Sequence, residues 1–196
     1  HYIDVDSYSE FLADGAISES LDDLIAQHGS YFVYDNGVLP WATLNAYDSL
    51  RECMKRYDWE KAKFFAADLG HYVADGHMPL HLTKNYNGQL TGNTGIHSRY
   101  ESTMINAHIG EINYSGEDLS TIDNVSSYVF NYIYTHYVYV DSVIAADDYA
   151  QSISSNTSSS AYKNALWEKT ADFTNVLFKN ASHAMAELLY NAWLEA

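Results

Sequence analysis

The scarcity of helix-breaking residues is the feature that most constrains the fold of this chain. Only 2 prolines and 10 glycines occur among its 196 residues. Both residue types weaken helices and mark turns, so their shortage favours long helices over many short strands. A length of 196 residues fits one domain of ordinary size. We therefore expect a single helical domain spanning residues 1–196.

Apolar residues recur at helical spacing along most of the chain. Leu21, Leu24 and Ile25 repeat at three and four residues, as one face of a helix does. A further helix is predicted to begin at Pro40, and the next one to follow an N-cap at Asp58. Two more helices are predicted over Ile96 to His108 and Ala161 to Leu194. The predicted loops are 82–95, 110–121 and the serine-rich linker 152–160.

The stretch from Tyr128 to Val140 is ambiguous. Its β-branched and aromatic residues are typical of a strand, whereas Val129, Ile133 and His136 fit helical spacing. We predict a helix because no second strand is available to pair with it. The predicted fold class is all-α.

Charge and cysteine content exclude several classes of protein. The chain has 26 acidic and 10 basic residues, a formal charge of −16, which argues against nucleic-acid binding through a broad basic face. No run approaches the roughly 18 apolar residues of a membrane span. A single cysteine, Cys53, excludes an internal disulfide and a thiolate zinc finger. We expect it to be buried and inert, and any metal must be held by nitrogen and oxygen.

Histidine and carboxylate residues concentrate between positions 71 and 101. His71 and Asp75 are four residues apart, and His97 and Glu101 repeat that spacing. Such pairs project from the same helix face one turn apart, where imidazole and carboxylate can share a metal ion. One pair alone is usually a surface hydrogen bond, but two pairs with His81 between them favour a metal site. This donor set suits zinc.

These residues resemble the trinuclear zinc signature of a known family. The run His71-x-x-x-Asp75-x-x-x-Pro79-x-His81, followed by His97-x-x-x-Glu101, is similar to that of bacterial phospholipase C and the fungal single-strand nucleases. The opening His1-Tyr2-Ile3-Asp4 resembles the family's His-Tyr-x-Asp stretch. His28 precedes a Gly-x-x-Pro turn similar to the one that follows another family ligand.

The resemblance implies an all-α fold of the phospholipase C type and two sets of zinc ligands. The first zinc would be held by Asp4, His28 and His71, with Asp75 bridging it to another ion; the second would be held by His81, His97 and Glu101. The family's third zinc uses an N-terminal Trp and a nearby His, and neither precedes Asp4. We therefore expect the third site to be incomplete and an N-terminal segment to be missing. His1 is not assigned as a ligand, because it belongs to the His-Tyr-x-Asp stretch.

The function implied by the resemblance is zinc-dependent hydrolysis of phosphate esters. A metal-bound hydroxide would attack phosphorus, and Asp4 would act as a ligand that orients the water. Glu101 favours the phospholipase C branch, since the nucleases have Asp there. The implied substrates are small phosphodiesters, phospholipids or single-stranded nucleic acid, with no stable protein partner and a secreted or periplasmic location. The alternatives are a single-strand nuclease or 3′-nucleotidase, and a zinc-binding module without catalysis.

The remaining histidines have weaker signals. His77 lies between the ligand positions but two residues from Asp75, and we predict that it supports the ligands, faces substrate or is merely exposed. His108, His136 and His183 are predicted to be packed or surface residues.

Overall fold

Helices make up nearly all the regular structure in the computed structural model, which describes residues 1–196 and contains no strand. The α-helices are α1 (Ser9–Asp14), α2 (Leu21–His28), α3 (Ser30–Asp35), α4 (Leu39–Lys55), α5 (Trp59–Gly76), α6 (Ile96–Ser98), α7 (Ile105–His108), α8 (Val125–Tyr137), α9 (Val140–Ile153) and α10 (Ser160–Leu194). Short 3₁₀ turns lie at Val5–Ser7, Pro79–His81 and Ile109–Glu111, and a π-helical turn at Arg99–Met104 joins α6 to α7. The predictions of an all-α class and one helical domain are confirmed; the phospholipase C type remains a prediction.

Local sequence signals account for where several helices begin. The Asp58 carboxylate accepts a hydrogen bond from the Lys61 backbone N–H at 3.3 Å, the N-cap predicted for α5. Pro40 lies in the first turn of α4, where its missing N–H costs nothing. The ambiguous stretch 128–140 is helical, as predicted, but it divides at Val138 between α8 and α9.

Three hydrophobic clusters form the core. The first joins the N-terminal segment to α8, the second joins the 96–105 region to α9 and α10, and the third joins α4 and α5 to α10. Helix α10, about 52 Å long at 1.5 Å per residue, contributes Tyr162 and Leu166 to the second cluster and Leu188 to the third. Cys53 is a buried free thiol in the third cluster, as predicted. None of the helices combines the length and the hydrophobicity that a membrane span requires.

The end of α5 packs closely against α8. A Cβ atom placed on Gly76 would lie 2.6 Å from the Tyr132 ring, so only glycine allows this approach. The last turn of α5, which carries Asp75, is therefore held firmly against the core.

A buried ion pair holds in place the loop 82–95, which follows α5 and the 3₁₀ turn. The Arg99 guanidinium contacts the Asp147 carboxylate at 2.8 Å, and Asp147 is fully buried. Arg99 also donates to the backbone carbonyls of Asn93 at 3.0 Å and Thr94 at 2.8 Å. Residues 82–95, predicted as a loop, are thereby tied to α9 close to His97.

Candidate metal centre

Two groups of histidine and carboxylate side chains lie next to each other at the C-terminal end of α5. In each group the ligand atoms lie within 4.8 Å of one another. The first group is His1, His71 and Asp75, and the second is His81, His97 and Glu101. Each group has the geometry to hold a metal ion.

The Asp75 carboxylate stands between the two groups. Its Oδ2 lies 3.2 Å from His71 Nε2 and 3.7 Å from His1 Nδ1. Its Oδ1 lies 3.8 Å from His81 Nε2, in the second group. One carboxylate thus presents one oxygen to each group, which is the arrangement that a bridging ligand requires.

Local structure brings the second group to Asp75. Helix α5 ends at Gly76, and the 3₁₀ turn Pro79–His81 folds the chain back over the helix end. His97 and Glu101 follow on the next helical segment, with His97 Nε2 2.8 Å from a Glu101 oxygen. Glu101 lies in the π-helical turn, a widening of the helix that is frequent at functional sites.

Backbone carbonyls fix the orientation of two imidazoles. His81 Nδ1 lies 2.8 Å from the His1 carbonyl oxygen, and His97 Nδ1 lies 3.0 Å from the Tyr86 carbonyl oxygen. A carbonyl only accepts, so each Nδ1 donates its proton to the backbone, and Nε2 is the nitrogen that faces the other residues of the group. Histidines that bind metals are commonly held by such a bond from the second nitrogen.

Two buried atoms of the site have no hydrogen-bond partner. They are Oδ2 of Asp75 and Nε2 of His81. Both atoms face into the site, and leaving polar atoms unpaired in the interior is costly. A cation between the groups would satisfy both atoms, so these residues fit a metal ion.

The two carboxyl groups of the site have opposite pKa shifts. Interactions with the His81 and His97 imidazoles lower the pKa of Glu101 to about 2. Burial raises the pKa of Asp75, although the nearby imidazoles of His81 and His71 act in the opposite direction. Glu101 is therefore ionised at neutral pH, and a cation at Asp75 would offset the cost of burying its charge.

Asp4 and His28 belong to neither group. His28 Nε2 instead contacts Glu10 at 2.7 Å, and its ring stacks on Phe32. Burial raises the pKa of the Asp4 carboxyl group to about 7, and the negative charge of Asp6 acts in the same direction. The structure does not bring these two residues to the other predicted ligands, and the catalytic role of Asp4 stays a prediction.

His1 is the site residue that the sequence analysis missed. The sequence did not assign it as a ligand, but its Nδ1 lies 2.8 Å from His71 Nε2, within the first group. The Ile3 N–H donates to the His81 carbonyl at 2.9 Å and lays the first residues of the chain along the 3₁₀ turn. The sequence contains a sign of this placement, because His1 is the first residue of the His-Tyr-x-Asp stretch used for the resemblance.

His77 and His136 are buried together beneath the site. Their rings lie 4.3 Å apart, and the His77 Nδ1–H donates to the Val73 carbonyl at 2.7 Å. Burial lowers the pKa of His77 to about 3. An exposed His77, one of the alternatives from sequence, is therefore wrong, whereas His136, predicted to be a packed or surface residue, is packed.

Protonation of His136 is expected to make stability depend on pH. Burial lowers its pKa to about 4, whereas an imidazole in an unfolded chain has a pKa of about 6.5. Between these values the unfolded chain binds a proton that the native state does not, so stability falls as pH falls. From pH 7 to pH 5 this residue should cost about 2 kcal/mol of unfolding free energy.

Urea unfolding at both pH values tests this expectation. His136→Phe should lose less stability on acidification than the parent chain by that amount. The control Tyr132→Phe removes a buried hydroxyl from the same place but no group that titrates in this range, and it should keep the parent pH dependence. Equal pH dependence in His136→Phe and the parent would contradict the prediction.

No protein-family model, curated protein or solved structure matches this chain. Its function must therefore be inferred from the chemistry of the site.

Proposed function

We propose that this protein is a zinc-dependent hydrolase of phosphodiesters that binds two zinc ions at the paired groups. The observation that carries the proposal is the position of Asp75, with one carboxylate oxygen facing each group. A carboxylate shared between adjacent ions is suited to two-metal phosphoryl chemistry.

The donor set supports zinc over other ions. Each group offers two imidazoles and one carboxylate. Zinc favours nitrogen and oxygen donors of this kind, and catalytic zinc sites keep a position open for water or substrate. Calcium and magnesium prefer sites made of oxygen alone, which these groups are not.

The residues around the groups suit a phosphate substrate only if cations are present. The ligand groups contain no lysine or arginine, and the chain as a whole is strongly acidic. Bound zinc would neutralise phosphate oxygens and lower the pKa of a water molecule. The protein itself positions the ligand atoms: backbone carbonyls orient the His81 and His97 imidazoles, and the Asp75 carboxylate presents one oxygen to each group. The His1 and His71 side chains are more than half exposed, which leaves the first group open to solvent.

The class of substrate that we propose rests on the resemblance to the phospholipase C family. Glu101 favours a phospholipase C-like phosphodiesterase, and a secreted or periplasmic location belongs to the same proposal. A single-strand nuclease or 3′-nucleotidase is the second candidate, and a zinc-binding module without catalysis is the third.

Metal content is the first test of the proposal. Elemental analysis of dialysed protein should find two zinc ions per chain, and His97→Ala should lose one because its group keeps only two protein ligands. His28→Ala is the matched control and should keep both ions, since His28 pairs with Glu10. Loss of zinc from His28→Ala but not from His97→Ala would contradict this ligand set.

Turnover separates the candidate functions. The zinc-loaded chain should hydrolyse a phosphocholine ester faster than single-stranded DNA, and the His97→Ala variant should hydrolyse neither. A preference for DNA would identify the nuclease. Two bound zinc ions without turnover of either substrate would identify the binding module and overturn the hydrolase proposal.

A further inference from the structure

A polar pocket of about 290 Å³ lies between α8 and α10, beside the residue that follows α5. All of its lining residues except Ala184 carry a polar group in the side chain. They include three histidines, two asparagines and a tyrosine: His77, His136, His183, Asn131, Asn180 and Tyr128. None of the six candidate metal ligands lines this pocket, so it is separate from the metal centre.

Buried imidazoles in the pocket wall have nitrogen atoms without hydrogen-bond partners. His136 is only 2% exposed, and neither its Nδ1 nor the Nδ1 of His183 has a partner. His77 is 4% exposed; its Nδ1 donates to the Val73 carbonyl, and its Nε2 makes no hydrogen bond. Unpaired polar atoms in the interior are costly. A ligand that pairs with these nitrogens would therefore gain free energy from doing so.

The pocket offers no net charge to a ligand. No lysine, arginine, aspartate or glutamate lines it. Burial lowers the pKa of His136 to about 4, although the neighbouring Gly76 carbonyl acts in the opposite direction, so this imidazole is neutral at pH 7. His183 Nε2 lies 3.2 Å from the Glu187 carboxylate, which would balance a positive charge on the ring. A charged ligand would lose its hydration here without gaining a charged partner.

We propose that this pocket binds a neutral sugar ring of the size of one monosaccharide. A sugar hydroxyl both donates and accepts, as does a neutral imidazole or an amide. The Asn131 and Asn180 amides each present a donor and an acceptor, which can pair with two adjacent hydroxyls of one ring. The inference does not depend on the proposed hydrolase activity.

Tyr128 supplies a surface for the apolar face of the sugar. Its hydroxyl donates to Glu187 at 2.8 Å, which fixes the ring at the pocket wall. An aromatic ring combines a large apolar area with a polar tip, and the C–H groups of a sugar can pack against that area. A ligand without hydroxyls suits the pocket less well, because it would bury the histidine and asparagine groups without pairing them.

The test is a titration of zinc-free protein with D-glucose, D-galactose and D-mannose, each also as its methyl glycoside. The amino sugar and the uronate of the same ring provide a cationic and an anionic analogue, and cyclohexanol provides an apolar one. At least one neutral hexose should bind, and its charged analogues should bind at least about tenfold more weakly. In ¹⁵N spectra of labelled imidazoles, His77, His136 and His183 should shift, whereas His28 and His108, which do not line the pocket, should not.

Asn131→Ala tests the pocket without threatening the fold. Asn131 is exposed on α8, and alanine favours the helix more than asparagine does. We expect the variant to bind the sugar about fivefold more weakly, since it loses hydrogen bonds to the hydroxyls. Asn45→Ala is the matched control, because Asn45 is exposed on α4 and does not line the pocket. His97→Ala, which alters the metal centre, should also leave sugar binding unchanged.

The outcomes separate this inference from the proposed function. Failure of all three hexoses to bind, tighter binding of a charged analogue or of cyclohexanol, or equal affinity in Asn131→Ala and the parent would overturn it. A requirement for zinc would also overturn it, because the sugar would then lie at the metal groups. Binding of free sugars and methyl glycosides alike would indicate the end of a glycan, and binding of free sugars alone a free monosaccharide. Sugar binding without phosphodiester turnover would support the pocket while the hydrolase proposal fails.

Discussion

Asp75→Asn is expected to release zinc from the first group, to weaken zinc binding at the second and to abolish phosphodiester hydrolysis. The substitution keeps the shape of the side chain but removes its charge and replaces one of the oxygens that face the two groups. The first group then has only its two histidines, whereas the second keeps His81, His97 and Glu101 and loses only the carboxylate oxygen shared with the first. We expect zinc affinity to fall by about 100-fold or more, since ligand bonds supply the binding free energy.

The zinc-free stability of the same variant separates this effect from misfolding. Burial raises the pKa of Asp75, so its charge is costly when no cation is present. Without zinc, Asp75→Asn should therefore be at least as stable as the parent chain in thermal unfolding. Asp68→Asn, an exposed change on the same helix, should alter neither zinc content nor turnover. Retention of both ions by Asp75→Asn would show that Asp75 does not join the groups.

Arg99→Met is expected to destabilise the protein by about 3–5 kcal/mol, because it leaves the Asp147 charge buried without its partner. Asp147 is fully buried and also accepts a hydrogen bond from the Tyr162 hydroxyl. The loss should reach the metal centre, since Arg99 lies two residues after His97 and ties down the Asn93 and Thr94 carbonyls. Zinc should therefore bind more weakly at the second group.

Arg51→Met is the matched control. Arg51 pairs with Asp48 and Glu195 on the surface, where the carboxylates are substantially exposed. Such pairs contribute about 1 kcal/mol or less. Urea unfolding of both variants measures the difference. The double variant Arg99→Met with Asp147→Asn should recover part of the lost stability, because the buried charge is gone. Similar losses for Arg99→Met and Arg51→Met would mean that the buried pair has no special role.

Sequence-based prediction succeeded where the determining interactions are local. The Asp58 cap acts on Lys61, three residues away, and helical spacing places His71 and Asp75 together within one turn. The pairing of His97 with Glu101 has the same origin. These features depend on backbone geometry over four or five residues, which the sequence displays directly.

Contacts between residues that lie far apart in the sequence could not be predicted from such patterns. His1 and His71 are 70 residues apart, and Arg99 and Asp147 are 48 residues apart. Their meeting depends on how the three core clusters assemble, which no local spacing encodes. His28, predicted as a ligand from the turn that follows it, instead contacts Glu10, 18 residues before it, and local spacing gives no sign of this pairing.

The contact between His1 and His71 has a consequence for how the folded state is maintained. An ion held by both residues and Asp75 would close a loop of 70 residues and so act as a reversible cross-link. Ion binding to the native state alone also adds stability that grows with the logarithm of the free ion concentration. The free energy of unfolding would then depend on the concentration of free zinc around the protein, and the same concentration would govern both the stability and the activity of the chain.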